Sequence, residues 1–318
     1  MIMASNLKLP PNQAQILILG WPKTGSSSIF QWLSDHPQVF GSKIEESFLF
    51  IDQNNPYFNR RGASIQNDGI EKFYELFKGS NLNQIWLEGT THSVFQDYMI
   101  NFVSNNIELT DAIMIIRDPV SRIFSSFTSS QNNFSNISKK LSWSKYVDCI
   151  LNNKMGSLKK YYSDTFSYES SKNQLISSDY AFWIKKWKKN VSEKKLHFIL
   201  FEDIQSNPKK TIKHLASSIG LDESFYNDYI FNKKNTTLNI RYPLLHKSAL
   251  KLRPLIGNSS LIDKIKRLYL KQNTISKKED LNSKENFEAS KRLKEYFKPS
   301  IMELSSLLNR DLSSWINH

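Results

Sequence analysis

Two short segments hold residues whose types and spacing suit the capture of anions. The first is LILGWPKTGSSSIF (Leu17–Phe30). An apolar stretch ends at Gly20, a short loop carries Lys23, Thr24 and Gly25, and a helix start follows with Ser26, Ser27 and Ser28. N–H groups at a helix start have no partner within the helix, and the helix dipole adds positive charge, so such a junction can hold a phosphate or sulfate. Nearby hydroxyls add directed hydrogen bonds, and a lysine adds a point charge. No metal is needed for this. The nucleotide-binding loop GxxxxGK[ST] is the obvious comparison, and Gly20 and Gly25 have its spacing. Ser26, however, stands where its lysine belongs, and the apolar run IMII meets Arg117 before any magnesium-holding Asp. An ATP or GTP site of the usual form is therefore disfavoured.

The second segment is IMIIRDPVSRIFSSF (Ile113–Phe127). Its apolar run ends at Arg117. Asp118 can cap a helix that has Pro119 at its first position. Ser121 and Ser125 then lie one turn apart on one helix face. Arg117 can meet a phosphate bidentately, and Ser125 can add a hydroxyl. Two anion sites at the C-terminal ends of two strands suit a ligand with two separated phosphate-like groups.

These loops need a sheet to hold them, and the pattern supplies one. QILILG (Gln15–Gly20), QIWLEG (Gln84–Gly89), DAIMIIRD (Asp111–Asp118) and KLHFILFED (Lys195–Asp203) read as buried strands, and QVFGS (Gln38–Ser42) as a shorter one. Helical patterns lie between them, in SSSIFQWLSDHP and in GIEKFYELF. After the last strand comes a helix with Asn207 as cap, Pro208 at its first position, Gly220 at its end and Ile212, Leu215, Ala216 and Ile219 along its apolar stripe. Such alternation predicts an α/β fold, a central parallel sheet flanked by helices. Residues 51–68 read as a polar loop. The chain is expected to form one domain over residues 1–318, with an N-terminal tail (1–14), a basic helical insertion (128–194) and C-terminal helices (259–318). No repeat and no Pro/Gly/Ser-rich linker is present.

The two motifs together resemble those of the sulfotransferases that use 3′-phosphoadenosine-5′-phosphosulfate (PAPS). PKTGSSSI is similar to the 5′-phosphosulfate loop of that family. RDPVSRIFSSF is similar to its 3′-phosphate motif RxPxxRxxSxY, with Arg117 and Ser125 at the right separation and Phe127 in place of Tyr. FEDIQSNPKKTIKHLASSIGL resembles the family's EDL strand–helix segment, and EYFKPSIMELSSLLNRDLSSW the closing helices of bacterial members. The resemblance runs from about residue 15 to about residue 315 and lies nearer to the glycan O- and N-sulfotransferases. It implies a P-loop, nucleoside-kinase-like sheet and metal-free transfer of a sulfuryl group from PAPS, leaving adenosine-3′,5′-bisphosphate.

Further roles follow from the resemblance. Lys23 is the residue placed at the bridging oxygen, where charge builds as the bond to phosphate breaks. Thr24, Gly25, Ser26, Ser27 and Ser28 hold the 5′-phosphate, and Arg117 and Ser125 the 3′-phosphate. The late segment NTTLNIRYPLLHK (Asn235–Lys247) offers Arg241 and Lys247 to the same 3′-phosphate. The acceptor hydroxyl must lose a proton, so a base is required, and three candidates stand out. KIEESFLF (Lys43–Phe50) resembles the KE[PST]xFF segment of glycan O-sulfotransferases and places the base at Glu46, or at Glu45 if shifted by one. LEGTTHSVF (Leu87–Phe95) resembles a GExTPxYF segment and offers Glu88, with Gly89 where glycan-type enzymes have a Lys. His92 follows Thr91 in a TH pair like that of cytosolic small-molecule sulfotransferases. Glu46 ranks first, Glu88 second and His92 third.

Composition fits an enzyme with an anionic donor. The 318 residues carry a net charge of +13, and hydrophobic residues make up 39%, enough for a core. From Lys139 to Lys195 there are 13 lysines, no arginine and 5 acidic residues, a net charge of +8. One reading of that charge is nucleic-acid binding, but no recognised module for it is present. In DYAFWIKKWKKN, Trp183 and Trp187 are expected to form the buried face of a helix with solvated lysines around them. The single cysteine, Cys149, permits neither an intrachain disulfide nor a cysteine-based zinc site. No secretory leader and no membrane span is read, so a cytoplasmic protein is the expectation. The reading is thus a sulfotransferase acting on a small-molecule or glycan acceptor, an anionic one included, with no nucleic-acid partner and no metal. The alternative is a nucleotide-dependent phosphotransferase on the same fold. Acceptor identity and oligomeric state are not written in the sequence.

Overall fold

The computed structural model describes residues 8–232, 269, 281 and 283–317. In chain order the elements are β1 (Gln15–Gly20), α1 (Ser26–Ser34), β2 (Val39–Gly41), α2 (Ile65–Asp68), α3 (Glu71–Glu75), β3 (Ile85–Glu88), α4 (Asp97–Asn105) and β4 (Thr110–Ile116). Next come α5 (Pro119–Asn132), α6 (Trp143–Leu151), α7 (Thr165–Lys172), α8 (Gln174–Ser177), α9 (Tyr180–Asn190), β5 (Leu196–Leu200), α10 (Phe201–Ser206) and α11 (Pro208–Ser218). The last helix is α12 (Lys284–Leu308). Two compact units emerge. Among the described residues the first comprises 8–118, 179–232 and 300–313, the second 119–178, 269, 281, 283–299 and 314–317.

The first unit holds a five-stranded sheet in the order β2-β3-β1-β4-β5, parallel at every pairing. All six residues of β1 are buried, as a strand covered on both faces must be. One face packs Ile16, Ile18, Ile113 and Ile115 against Ile29, Trp32 and Leu33 of α1 and Ile212 and Leu215 of α11. On the opposite side of the same strands Leu17, Leu19, Met114 and Ile116 are buried as well. From the end of β1 the chain leaves toward β2, on one side of the sheet, and from the end of β4 toward β5, on the other. The crevice between β1 and β4 is therefore the point where an open parallel sheet offers loops to a ligand. Lys23 follows β1, and Arg117 follows β4.

Two expectations change at the element level. KLHFILFED is not one strand: β5 stops at Leu200, and Phe201–Ser206 turns helical. Glu202 and Asp203, in the first turn of α10, favour that end through its dipole. Residues 51–68 form a loop with one helical turn, whose Ser64 caps Asn67 N. The cap predicted at Asn207 is present: its Oδ1 accepts Lys210 N at 3.0 Å.

The second unit is helical among its described residues. Phe127, which replaces the motif's tyrosine, is buried against Trp143 and Tyr146, with ring centroids at 5.5 and 5.0 Å. Arg122 is buried with it and donates to Gln174 Oε1 at 3.0 Å and to Ser178 Oγ. The basic helix α9 belongs to the first unit, not with residues 119–178. Its Trp187 is fully buried and donates to Val94 O at 2.8 Å, as its position on the inner face requires. Trp183 stays partly open and packs edge-on against Phe95 at 5.1 Å.

Candidate active site

The loop after β1 is shaped by backbone geometry. Lys23 has φ of 74° and Gly25 φ of 88°, both left-handed. Glycine adopts that region freely, but a lysine there is uncommon and marks a constrained turn. A Cβ on Gly25 would also lie 3.1 Å from the Phe201 ring. Thr24 is fully buried, and its hydroxyl donates to Trp21 O at 2.5 Å, which ties the loop to itself. Helix α1 opens at Gly25 with no side-chain cap, so its first turn faces the loop with its dipole uncompensated by a side chain.

Arg117 joins this loop directly. Its Nη1 donates to Lys23 O at 2.9 Å, and its guanidinium carbon lies 4.4 Å from the centroid of Phe201. Phe201 thus supports both the arginine and Gly25. At the end of β4, Glu202 Oε1 accepts Asp118 N at 3.2 Å, which fixes α10 to that loop. Burial, with Arg117 beside it as the lesser cause, lowers the Lys23 ammonium from 10.5 to about 8. Among the described residues no carboxylate lies within ion-pair distance of Lys23. A half-buried ammonium beside a guanidinium, at an uncapped helix start, is a site that an anion would relieve.

The three carboxylate and imidazole candidates have unlike surroundings. Glu88, at the end of β3, is buried and fully engaged. Its Oε1 accepts Ser47 N at 3.2 Å, Ser47 Oγ at 2.8 Å and Thr90 Oγ1, and its Oε2 accepts Thr90 N at 3.0 Å. It therefore fastens the segment 43–50 to the sheet. Glu46 sits on that segment with one oxygen committed. Thr91 Oγ1 and N both donate to Oε1, at 2.5 and 3.3 Å, and no described residue donates to Oε2. Burial pushes its carboxyl above the usual range, and the Thr91 hydrogen bonds pull partly the other way. Thr91 O also abuts the end of β1, since a Cβ on Gly20 would meet it at 2.8 Å. Only glycine fits there, and the contact binds the Glu46 segment to the start of the Lys23 loop.

His92 lies in an aromatic stack. Its ring is 3.8 Å from that of Tyr57, and Phe48 stacks on Tyr57 at 5.5 Å. Phe48 has φ of 58°, a strained value for a bulky residue, and Thr90 Oγ1 accepts its N–H at 3.1 Å. Arg60 lies 5.4 Å from the Tyr57 centroid and Arg61 5.9 Å from that of Phe48. Arg61 Nε also donates to Glu46 O at 3.3 Å.

The first unit thus brings together Lys23, Thr24, Gly25, Ser26, Ser27, Ser28 and Arg117 around the crevice, with Glu46, Glu88 and His92 on segments joined to it. Ser125 is placed on α5 of the second unit, partly buried. Arg241 and Lys247 lie outside the described residues. Trp21 is wholly buried and meets Tyr180 edge-on at 4.7 Å, a core role. Sequence reasoning did not single out Phe201, Glu202, Thr91, Arg60 or Arg61. The first two were visible only as part of a strand pattern, and the arginines only as members of a polar loop.

The sulfotransferase-domain family model matches residues 13–301. The chain belongs to the sulfotransferase family. Its fold is that of the family, an all-parallel sheet flanked by helices. Among solved structures it is similar to a sulfotransferase from Alicyclobacillus acidocaldarius, at 16% identity and a TM-score of 0.62, over 96% of this chain and 99% of that one. It is also similar to the sulfotransferase domain of the curacin biosynthetic pathway, at 14% identity and a TM-score of 0.42, over 94% of this chain and 99% of that one. A third is retinol dehydratase in complex with androsterone and inactive cofactor PAP, at 13% identity and a TM-score of 0.35, over 70% of this chain and 64% of that one. The first likeness supports the fold. No curated protein matches significantly. Sulfuryl transfer is the reaction of the family, and the phosphotransferase alternative gains nothing from these matches. No helix among the described residues is long and apolar enough to cross a membrane.

Proposed function

We propose that this sulfotransferase takes its sulfuryl group from PAPS and passes it to a hydroxyl or amine of a polar acceptor, a carbohydrate of the glycan type. The observation that carries the donor assignment is the pairing of Lys23 and Arg117 in the β1–β4 crevice. Lys23 is a cation held short of a counter-charge, beside an uncapped helix start. PAPS supplies the sulfuryl group and two anionic ends. The backbone from Thr24 to Ser28 and the hydroxyls of Ser26, Ser27 and Ser28 bind the 5′ end, with the Thr24 hydroxyl already committed to Trp21 O. Arg117 binds the 3′ end, with Ser125, Arg241 and Lys247 assigned to it by the sequence motif and its late loop.

Lys23 holds its proton on Nζ and offers positive charge to the oxygen that gains electrons as the sulfuryl group departs. Glu46 takes the acceptor proton on Oε2, the oxygen left open by Thr91. Glu88 positions Glu46 by anchoring Ser47, and His92 belongs to the acceptor wall. Tyr57, partly exposed and backed by the buried Phe48, offers an aromatic surface to sugar rings, and Arg60 and Arg61 offer charge to an acidic sugar.

The test is a turnover assay with PAPS and a panel of neutral and uronic-acid oligosaccharides, read by the gain of one SO3 in mass and by release of adenosine-3′,5′-bisphosphate. Sulfated product with PAPS and none with ATP–Mg supports the reading. Phosphorylated product with ATP–Mg contradicts it.

A further inference from the structure

The structure divides the lysines of the basic stretch 139–195 into two kinds. In the first unit four of the six are neutralised, while Lys189 and Lys194 have no carboxylate within ion-pair distance among the described residues. Lys185 meets Glu303 at 2.7 Å, Lys186 meets Asp97 at 2.6 Å, Lys188 meets Glu193 at 3.2 Å and Lys195 meets Asp111 at 3.3 Å. In the second unit Lys139, Lys140, Lys145, Lys154, Lys159 and Lys160 are all exposed. None of these six has a carboxylate within ion-pair distance among the described residues.

The fold gathers them. Ser138 N donates to Tyr161 O at 2.8 Å beside the antiparallel bridge between Ile137 and Tyr162. Lys139 and Lys140 therefore run next to Lys159 and Lys160. Ser142 caps α6, which sets Lys145 in its first turn. There the Lys145 ammonium donates to the Tyr161 hydroxyl at 3.2 Å, and Lys160 lies 5.5 Å from the same ring. The acids of this stretch are occupied elsewhere: Asp148 pairs with Arg292 at 3.3 Å, Asp164 caps α7, and Glu169 pairs with Lys172 at 2.9 Å. Like charges collected without interleaved acids repel one another, and an external anionic partner removes that cost.

Two features choose the partner. Every one of these cations is a lysine, and the stretch holds no arginine. Recognition of a single sulfate or phosphate favours the planar arginine fork, whereas flexible point charges suit a diffuse anionic surface. Second, Phe134 is 60% exposed on the loop that leads to Lys139 and Lys140. That loop is tied down by Gln131 Nε2, which donates to Ser138 O at 3.0 Å and to Leu141 O at 2.9 Å. Lysines over lipid headgroups, with an aromatic ring at the acyl boundary, are the two signals that together hold a peripheral protein to a bilayer. We propose that the face formed by Phe134, Lys139, Lys140, Lys145, Lys159 and Lys160 docks the protein on an anionic lipid surface.

Co-sedimentation of the full chain tests this, with vesicles of phosphatidylcholine alone and of phosphatidylcholine mixed equally with phosphatidylglycerol. Binding is expected only to the mixed vesicles and should fall as salt rises. Each lysine near such a surface strengthens partitioning about fivefold, so K139Q/K140Q/K159Q/K160Q should lower it on the order of 10²–10³-fold. F134S should weaken it further, while the thermal melt and sulfuryl transfer stay at the wild-type level. The control K185Q/K188Q, which removes paired lysines, should leave binding unchanged. Equal binding to both vesicles, no binding to either, or an equal loss in the control would overturn the proposal. So would retention on heparin or duplex DNA without vesicle binding, which would assign the face to a soluble polyanion.

Discussion

Lys23→Met removes a charge from a place that disfavours it, and so separates the cost of the site from its use. The Lys23 ammonium is lowered from 10.5 to about 8, chiefly by burial and then by Arg117. A lowering from 10.5 to about 8 means that holding the proton costs the folded chain about 3 kcal/mol near neutral pH. Methionine keeps the length of the side chain and carries no charge. The variant should therefore be more stable than the parent near pH 7, by up to about 3 kcal/mol, although it is disabled as a catalyst. The sign of the pH dependence follows. The unfolded chain holds the lysine proton up to 10.5 and the folded chain releases it near 8. The penalty is therefore complete below about pH 8 and fades as the pH rises toward 10.5, where parent and variant converge. Urea unfolding of both proteins across this range, without ligand, measures the gap. A variant that is less stable than the parent at neutral pH, with a gap insensitive to pH, would refute the argument that Lys23 awaits an anion.

Three further outcomes are expected. Lys23→Ala should cut kcat far more than affinity for adenosine-3′,5′-bisphosphate, whereas Arg117→Ala, which also frees Phe201, should mainly weaken that affinity; small and equal effects in turnover and calorimetry would count against both roles. Glu46→Gln should lower kcat on the order of 10²–10⁴-fold with the bisphosphate still bound. In the parent, the acidic limb of the kcat–pH profile should lie above 4.5, because burial raises Glu46, and activity should fall as the pH drops through that limb; the limb should vanish in the variant. Glu88→Ala strips four hydrogen bonds from Ser47 and Thr90, so urea unfolding should report a loss of at least about 2 kcal/mol; an unchanged midpoint would mean that Glu88 does not anchor the segment.

Much of the scaffold was legible because it depends on local pattern. The run QILILG has the bounds of β1, and the switch in strand order places Lys23 and Arg117 at one crevice, as the two anion motifs required. KLHFILFED misled because Phe201 continues the apolar run, although its ring is used to support Gly25 and Arg117 rather than a strand face. The resemblance ranked Glu46 ahead of Glu88, but the different surroundings of the two were not legible. Both are acidic residues near strand ends. What separates them is that Ser47, 41 residues away, donates to Glu88, whereas Thr91 leaves one oxygen of Glu46 open. Contacts over such separations leave no trace in spacing. The Lys-rich stretch read as one block, yet its lysines fall into paired and unpaired sets according to which acids the fold brings to them.

The central claim is that the Lys23–Arg117 crevice is built for the two anionic ends of PAPS. Isothermal titration of the purified chain with adenosine-3′,5′-bisphosphate in the presence of a chelator tests it most directly, alongside a matched titration with ATP–Mg. The account predicts one-site binding of the bisphosphate without metal, weakening as the pH rises above about 8 where Lys23 loses its proton, and much weaker binding of ATP–Mg. Selective binding of ATP–Mg, or bisphosphate binding that Arg117→Ala leaves untouched, would contradict it.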